Sequence, residues 1–193
     1  MQEAEWLEAR RGGISGTECP AILGIHPYKT KMDVWRSKLG ISLKKDGFSQ
    51  QSMDRMAYGH ILEGVVAKRY AKRLGLWLLP GKFKRLDWRL GTPDFTFYEQ
   101  RIGLEIKTTG DEKVERAIKS GKFPEYWEYQ CRWYMMLMDY DEWHLACLVG
   151  GQREYSTIFK RDAVIERDFI ERCSIFWHEN VLKHIPPGGL KFG

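Results

Sequence analysis

Two carboxylates and a lysine are spaced in a way that suits phosphodiester chemistry. Asp94 follows Gly91-Thr92-Pro93, and Glu105-Ile106-Lys107 comes after ten intervening residues. In a strand, residues 102, 104 and 106 point to one face and residues 103, 105 and 107 to the other. The first set is Ile, Leu and Ile. We therefore expect the strand to bury that set and to present Glu105 and Lys107 together on the opposite face.

A hairpin would bring the carboxylate of Asp94 beside that of Glu105. The pattern predicts strands at 95–98 and 102–108, joined by 99–101. Two convergent carboxylates suit Mg²⁺, which prefers one or two carboxylates completed by water and substrate phosphate. Such an ion acidifies a bound water, and Lys107 can orient that water and stabilise charge on the phosphate. A solvated strand face on which Glu105 and Lys107 merely pair with neighbours remains the alternative.

The elements that must position these residues are those of one α/β domain over residues 1–193. We expect a small central mixed β-sheet flanked by helices. Residues 76–109 are predicted to be extended, Ser42–Ser52 to be an exposed loop, and Ser15 and Thr17 to cap a short helix. The predicted helices are Lys31–Leu39, Met53–Leu74, Glu112–Lys119, Pro124–Met138 and Asp162–Leu182, with further strands at Trp143–Val149 and Glu154–Phe159.

Composition excludes some classes of protein and leaves others open. The 193 residues carry a net charge of +5, which favours a polyanionic partner without deciding for one. The longest apolar run, Trp133–Met138, is far shorter than the roughly 20 residues of a membrane span. The acidic N-terminus lacks the apolar core of a secretory signal, so we expect a cytoplasmic protein. The four scattered cysteines predict buried apolar side chains rather than a zinc site.

The motif Pro93-Asp94 followed by Glu105-Ile106-Lys107 resembles the signature of the PD-(D/E)XK nucleases. The resemblance implies a restriction-endonuclease-like core. The upstream sequence Gly59-His60-Ile61-Leu62-Glu63 is similar to the helical metal-ligand motif of this group and implies that Glu63 is a ligand. Because a lone helical glutamate is often solvated, Glu63 also fits a surface position.

Gln130 matches the glutamine that follows the core motif in these enzymes and helps to order the site. Its aromatic neighbours Trp127, Trp133 and Tyr134 are expected to pack in the core.

The N-terminal stretch from Arg10 to Glu18, followed by 21-AILG-24 and Pro27-Tyr28, resembles the opening of the lambda-exonuclease/YqaJ viral recombinase family. That resemblance implies that Arg10 and Thr17 grip the 5′ phosphate of a DNA end. A guanidinium and a hydroxyl beside a helix N-terminus suit a phosphate. Thr17 stands where the family usually has serine, and only spacing favours Arg10 over Arg11. An ordinary capped helix beside a surface arginine is the alternative.

The family resemblance implies a Mg²⁺-dependent 5′–3′ exonuclease, with Mn²⁺ as a substitute, that acts on double-stranded DNA ends. It implies that Asp94, Glu105 and the Ile106 carbonyl hold one ion, while Glu63 helps to hold a second. It further implies a phage or prophage protein that forms a ring-shaped trimer, leaves a 3′ single strand for recombination and works with a single-strand annealing protein.

Two other functions use the same residues differently. A PD-(D/E)XK endonuclease of another type would cut covalently closed circular DNA. A catalytically silent DNA-end-binding module would bind ends without hydrolysis, although it has no need of clustered carboxylates that repel phosphate.

Overall fold

The computed structural model describes residues 8–41 and 50–188, without the side chains of residues 50–56. The strands in these residues are β1 (Ile14–Ser15), β2 (Leu78–Pro80), β3 (Lys84–Leu86), β4 (Arg89–Gly91), β5 (Phe95–Phe97), β6 (Ile102–Thr109), β7 (Glu142–Val149) and β8 (Arg153–Lys160). The α-helices are α1 (Cys19–Leu23), α2 (Lys31–Lys38), α3 (Gln50–Leu74), α4 (Glu112–Lys119), α5 (Glu125–Met138) and α6 (Ala163–Ile175), and a π-helical segment, Phe176–Val181, continues α6.

A five-stranded mixed sheet in the order β2-β5-β6-β7-β8 carries the central hairpin. β6 and β7 are parallel, and the other neighbouring strands are antiparallel. A parallel pair requires a crossover, which α4 and α5 provide. The predicted mixed sheet flanked by helices is therefore confirmed.

Helices cover both faces of this sheet, so β6 and β7 are buried on both sides. On β7, Leu145 and Cys147 face the cluster that includes α5 and α6, whereas Ala146 and Leu148 face α3. The same alternation on β6 turns Leu104 and Ile106 toward α3. The odd-numbered residues of β6 therefore lie on the α5 side, where the candidate site is found.

A second sheet of three short strands, in the order β1-β4-β3, lies beside the first. β1 runs parallel to β4, with Ile14 opposite Arg89 and Ser15 opposite Leu90. The indole nitrogen of Trp133 on α5 donates a hydrogen bond to the Leu90 carbonyl at 3.0 Å. This bond ties the small sheet to the helix that covers the site.

Most predicted elements are confirmed, with shifts of about one or two residues at their ends. The long helix ends at Leu74 before Gly75, whose φ is 68°. It starts at Gln50, so the last part of the predicted loop is helical, and residues 42–49 lie outside the described residues. The final helix changes to π winding after Ile175.

The four cysteines are buried and free of disulfides, and their burial confirms the sequence interpretation. Among the described residues, the structure contains no helix with both the length and the apolar character of a membrane span.

Candidate active site

The pairing of β5 with β6 brings Asp94 to Glu105. Phe95 lies opposite Leu104, so the residue before β5 stands beside Glu105. The Ile106 amide donates a hydrogen bond to Asp94 Oδ2 at 2.8 Å. The Gly81 amide donates to the Asp94 carbonyl at 2.9 Å. Both the backbone and the carboxylate of Asp94 are thereby fixed.

Glu105 lies on the α5 side of β6 and is only 1% exposed. Its Oε1 accepts hydrogen bonds from Lys107 Nζ and from Gln130 Nε2, each at 2.6 Å. Its Oε2 is buried and has no hydrogen-bond partner in the structure. Such an atom is costly unless something satisfies it, and a cation is a suitable partner for a carboxylate oxygen.

Glu63 extends from α3 and lines the same cavity as Asp94 and Glu105, with 31% of its side chain exposed. His60 lies one turn earlier, with Nδ1 3.1 Å from Glu63 Oε2. A Cβ at Gly59 would lie 3.1 Å from Thr108 Oγ1. The absence of a side chain at Gly59 therefore lets α3 approach β6 closely enough for Glu63 to reach the site.

The electrostatics of the cluster favour a cation. Burial, together with the charge of Asp94, raises the pKa of Glu63 and raises that of Glu105 to about 8. Burial also raises the pKa of Asp94, which Lys107 offsets only in part. Burial alone would lower the pKa of Lys107, but the charges of Glu105 and Asp94 raise it above its ordinary value. Three carboxylates thus hold negative charge less readily than they would in water.

The donor set fits a hard divalent cation in an open site. Within residues 8–41 and 50–188, no group of three or more His, Cys, Asp or Glu side chains is already arranged as a metal cage. Mg²⁺ requires no such cage, since one or two carboxylates with water and phosphate suffice. Asp94 and Oε2 of Glu105 are the suitable side-chain donors, while the Ile106 carbonyl and Glu63 are further oxygen donors along the same cavity.

Arg10 and Thr17 also line this cavity and lie next to each other. Arg10 Nη2 lies 3.2 Å from Thr17 Oγ1 and 3.3 Å from Ser15 Oγ. Arg11 instead pairs with Glu8 at 3.4 Å. The structure therefore places Arg10, and not its neighbour, with the hydroxyl groups.

The expectation that Ser15 and Thr17 cap a helix is wrong. α1 begins after Glu18 and has no side-chain capping hydrogen bond. The Glu18 carboxylate bonds back to Ser15, so the two hydroxyl groups face the cavity. At five residues α1 is also too short to offer an anion site at its N-terminus, so the polar groups available here are side chains.

A single cavity of about 270 Å³ connects the two groups of residues. Its lining comprises Arg10, Ser15, Thr17, Glu63, Phe83, Leu90, Gly91, Thr92, Asp94, Glu105, Ile106, Lys107, Gln130 and Tyr134. All eight residues singled out from the sequence are thus brought together.

Apart from Gly91 and Thr92, which precede Asp94 in its motif, sequence reasoning missed four residues of this cavity: Ser15, Phe83, Leu90 and Tyr134. Ser15 could have been found, because it lies two residues before Thr17 and alternate residues of an extended chain share a face. Phe83 carried no local signal. Tyr134 is buried, as predicted for the aromatic residues of α5, but its hydroxyl also lies 3.4 Å from Gln130 Nε2.

Gly81 is predicted to be essential for the position of Asp94. A Cβ at this residue would lie 1.7 Å from the Pro93 carbonyl oxygen, which backbone movement alone can relieve. Gly81→Ala is expected to cost roughly 1–3 kcal/mol in the free energy of unfolding and to lower any activity that depends on Asp94. The control is Gly64→Ala, where a Cβ meets no atom within 4 Å and helix propensity predicts a gain of about 0.5–1 kcal/mol. Urea unfolding of both variants measures the difference, and equal stabilities would contradict the expected clash.

Comparisons with solved structures show which fold the chain has. The chain is similar to an alkaline exonuclease, LHK-Exo, from Laribacter hongkongensis, with a TM-score of 0.75, 16% identity and 93% of each chain covered. A phage-related exonuclease from Haemophilus somnus 129PT gives a TM-score of 0.67 at 15% identity, covering 93% of this chain and 99% of that one. At these identities the likeness establishes the exonuclease fold.

Family membership follows from the sequence match. Residues 5–141 match the YqaJ-like viral recombinase domain, and the chain belongs to that family. It is 28% identical over 195 residues to YqaJ of Bacillus subtilis (strain 168), an uncharacterized protein, with 94% of this chain and 57% of that protein covered. The chain therefore spans little more than half the length of this relative.

Proposed function

We propose that the protein is a Mg²⁺-dependent exonuclease that degrades one strand of a DNA duplex from its 5′ end and leaves a 3′ single strand. The observation that carries this proposal is the single cavity that joins the hydroxyl and guanidinium groups of Thr17 and Arg10 to the carboxylates of Asp94 and Glu105. A 5′-terminal phosphate at one end of such a cavity directs the next phosphodiester toward the other end.

Each side chain of the carboxylate cluster has a proposed role in hydrolysis. Asp94, Glu105 and the Ile106 carbonyl hold one Mg²⁺, and Glu63 contributes to a second. An ion held there would lower the pKa of a water and neutralise phosphate charge. Lys107 orients the attacking water and stabilises the charge that develops on the phosphate. Gln130 keeps the Glu105 carboxylate oriented through its hydrogen bond to Oε1.

The substrate and partners are proposed on the basis of family and fold. LHK-Exo has been crystallised with dAMP in a structure similar to this chain, with a TM-score of 0.74 at 17% identity. A nucleoside monophosphate in a relative supports a cavity that receives one terminal nucleotide. A trimeric ring around DNA, a phage-type single-strand annealing protein as partner and a bacterial cytoplasmic location complete the proposal.

A 5′ phosphate on the duplex is expected to accelerate degradation. A charge-assisted hydrogen bond contributes about 1.5–3 kcal/mol, which corresponds to a preference of roughly 10- to 150-fold at limiting substrate. Arg10→Ala should remove most of this preference by slowing degradation of the phosphorylated substrate. Thr17→Val should remove less of the preference, because valine has a similar shape to threonine and the change deletes only one neutral hydrogen-bond donor.

The matched control for Arg10 is Arg11→Ala, since Arg11 pairs with Glu8. Rates on phosphorylated and hydroxyl-ended duplexes are compared for each variant, with melting temperature measured alongside. Loss of the preference in the Arg11 variant but not in the Arg10 variant would reverse the assignment. A plain structural role predicts lower melting temperatures with the preference unchanged.

The affinity for Mg²⁺ is expected to decrease as the pH is lowered. The pKa of Glu105 is raised to about 8, so the protonated carboxyl stabilises the metal-free fold at low pH. That contribution is complete below the ordinary pKa of 4.5 and is lost as pH rises through about 8. Since Mg²⁺ competes with the proton, the increase in melting temperature on adding Mg²⁺ should be larger at about pH 8.5 than at about pH 6. Equal increases at both values would contradict this expectation, and Glu105→Gln should reduce the increase at both pH values because it removes a proposed ligand.

Linear and covalently closed circular duplexes test the proposed function directly. With Mg²⁺, the linear duplex should be degraded and the circle should remain intact, because an end-dependent enzyme has no substrate in a circle. EDTA should stop the reaction. Cleavage of the circle would favour an endonuclease, and binding of ends without cleavage would favour a silent end-binding module.

A further inference from the structure

A buried ion pair lies directly behind the phosphate end of the cavity. Lys38 Nζ is 2.7 Å from Glu18 Oε2, and the side chains of both residues are only 2% exposed. A pair buried this deeply is weak evidence for stability, because desolvation offsets much of the attraction. The other hydrogen bonds of the pair indicate what it holds in place.

Both members of the pair bind the segments that form the pocket. Glu18 Oε2 accepts hydrogen bonds from the Ser15 amide and from the Ser15 hydroxyl, each at 2.9 Å. Lys38 Nζ donates to the Arg10 carbonyl at 2.6 Å. Through these bonds α2 fixes the backbone of Arg10 and the side chain of Ser15 relative to each other.

The direction of these bonds gives Ser15 a specific role. The Ser15 hydroxyl has one proton, and the Glu18 carboxylate accepts it. Burial would raise the pKa of Glu18, but its cationic neighbours hold that pKa below its ordinary value, so the carboxylate stays an acceptor. Ser15 Oγ then acts only as an acceptor, from Arg10 Nη2 at 3.3 Å and, before phosphate binds, from Thr17 Oγ1 at 3.1 Å; the single Thr17 proton turns to the phosphate when one is bound. Ser15 thus orients the two phosphate-binding groups.

We propose that the Glu18–Lys38 pair is a positioning device that sets the preference of the enzyme for a 5′-phosphorylated end. The pair acts through Ser15 on Arg10 and Thr17 without touching the phosphate. This inference rests on the proposed function and names the residues that regulate its specificity.

Lys38 has a second effect in this device, which is to neutralise Glu18. A carboxylate next to a phosphate site repels the phosphate unless a cation compensates for it. Removal of Lys38 alone therefore leaves a negative charge behind Ser15 that only the more distant Lys29, 4.0 Å from Glu18 Oε1, offsets, whereas removal of both charges does not. The single Lys38 variant should consequently lose more of the phosphate preference than the double variant.

The test compares wild type with Lys38→Met and with the double variant Glu18→Gln/Lys38→Met. The measured quantity is the ratio of kcat/KM on a 5′-phosphorylated linear duplex to that on the same duplex with a 5′ hydroxyl. Lys38→Met should lower the ratio about tenfold, and the double variant should recover the part of that loss that comes from the Glu18 charge but not the part that comes from positioning. Rates on the hydroxyl-ended duplex should change by no more than about threefold, because the metal cluster is untouched.

Glu115→Gln is the control for the loss of an ion pair whose carboxylate is buried, although its partner Arg153 is exposed. Glu115 is 7% exposed and accepts a hydrogen bond from Arg153 Nη2 at 2.9 Å. It lies on α4 and does not line the cavity. This variant should melt at a lower temperature while its phosphate preference stays at the wild-type value.

A Lys38→Met protein that folds and keeps the wild-type ratio would overturn the proposal, as would a double variant with no recovery of the ratio. If these variants do not fold, Ser15→Ala removes only the hydroxyl relay and must lower the ratio; an unchanged ratio would overturn the proposal equally. A wild-type enzyme with no preference for a 5′ phosphate would instead contradict the proposed phosphate pocket itself, and the inference would fail with it.

Discussion

Replacement of Asp94 by alanine is expected to abolish cleavage while DNA binding stays intact or becomes tighter. Asp94 is held between the Gly81 and Ile106 amides at the edge of β5, so its carboxylate has a fixed place in the site. Loss of a metal ligand removes several kcal/mol of transition-state stabilisation, and the rate should fall by at least about 100-fold. The loss of one negative charge also reduces repulsion of the DNA backbone.

The measurement pairs single-turnover cleavage in Mg²⁺ with DNA affinity in the absence of metal. Asp168→Ala is a suitable control, because Asp168 is exposed and pairs with Arg172 on the surface of α6. A variant without Asp94 that retained more than a few per cent of the wild-type rate would show that the ion is held elsewhere.

Lys107→Ala should lower the turnover rate far more than it lowers the affinity for DNA. The ammonium is 2.6 Å from Glu105 and lines the cavity, so its contact with phosphate strengthens as charge develops in the transition state. Loss of one preorganised donor typically costs on the order of 100- to 1000-fold in rate. Saturating Mg²⁺ is needed, because Lys107 also helps to keep Glu105 charged.

A lysine in a surface ion pair provides the comparison for Lys107. Lys160 is 74% exposed and pairs with Glu142 at the far edge of the sheet, and Lys160→Ala should leave kcat unchanged. Parallel losses in affinity and in turnover for Lys107→Ala would instead make Lys107 a general phosphate contact.

The central hairpin was predictable because its signal is local. The alternation of Ile102, Leu104 and Ile106 with polar residues determines which face Glu105 and Lys107 occupy, and that face is observed. The burial of the face that carries Glu105 and Lys107 was not predicted, since coverage by α5 depends on packing between distant residues. For this reason Glu105 is fully buried rather than presented at a surface.

The small sheet could not be predicted from local pattern. β1, β3 and β4 contain only two or three residues each, which is too few for an alternation to be recognised. Their pairing with one another gives them strand geometry. As a result the Ser15 and Thr17 hydroxyls were assigned to a helix cap, although β1 places Ser15 beside Leu90 at the cavity.

The positioning contacts of the site are also long-range in the sequence. Gln130 contacts Glu105 across 25 residues, and Lys38 contacts Glu18 across 20. No spacing rule links such residues, so a role for Gln130 came from family resemblance and one for Lys38 from the structure. Resemblance identified the groups proposed to touch substrate together with Gln130, whereas only the structure identified the Glu18–Lys38 pair.

A time course with end-labelled linear duplex tests the central claim most directly. The substrate is phosphorylated at both 5′ ends, carries its label at either a 5′ or a 3′ end, and is incubated with Mg²⁺. The 5′ label should appear as a mononucleotide at the earliest times, while the 3′ label remains on long single strands, and Asp94→Ala should release neither. Early release of the 3′ label, or internal fragments from both substrates, would contradict a 5′–3′ exonuclease.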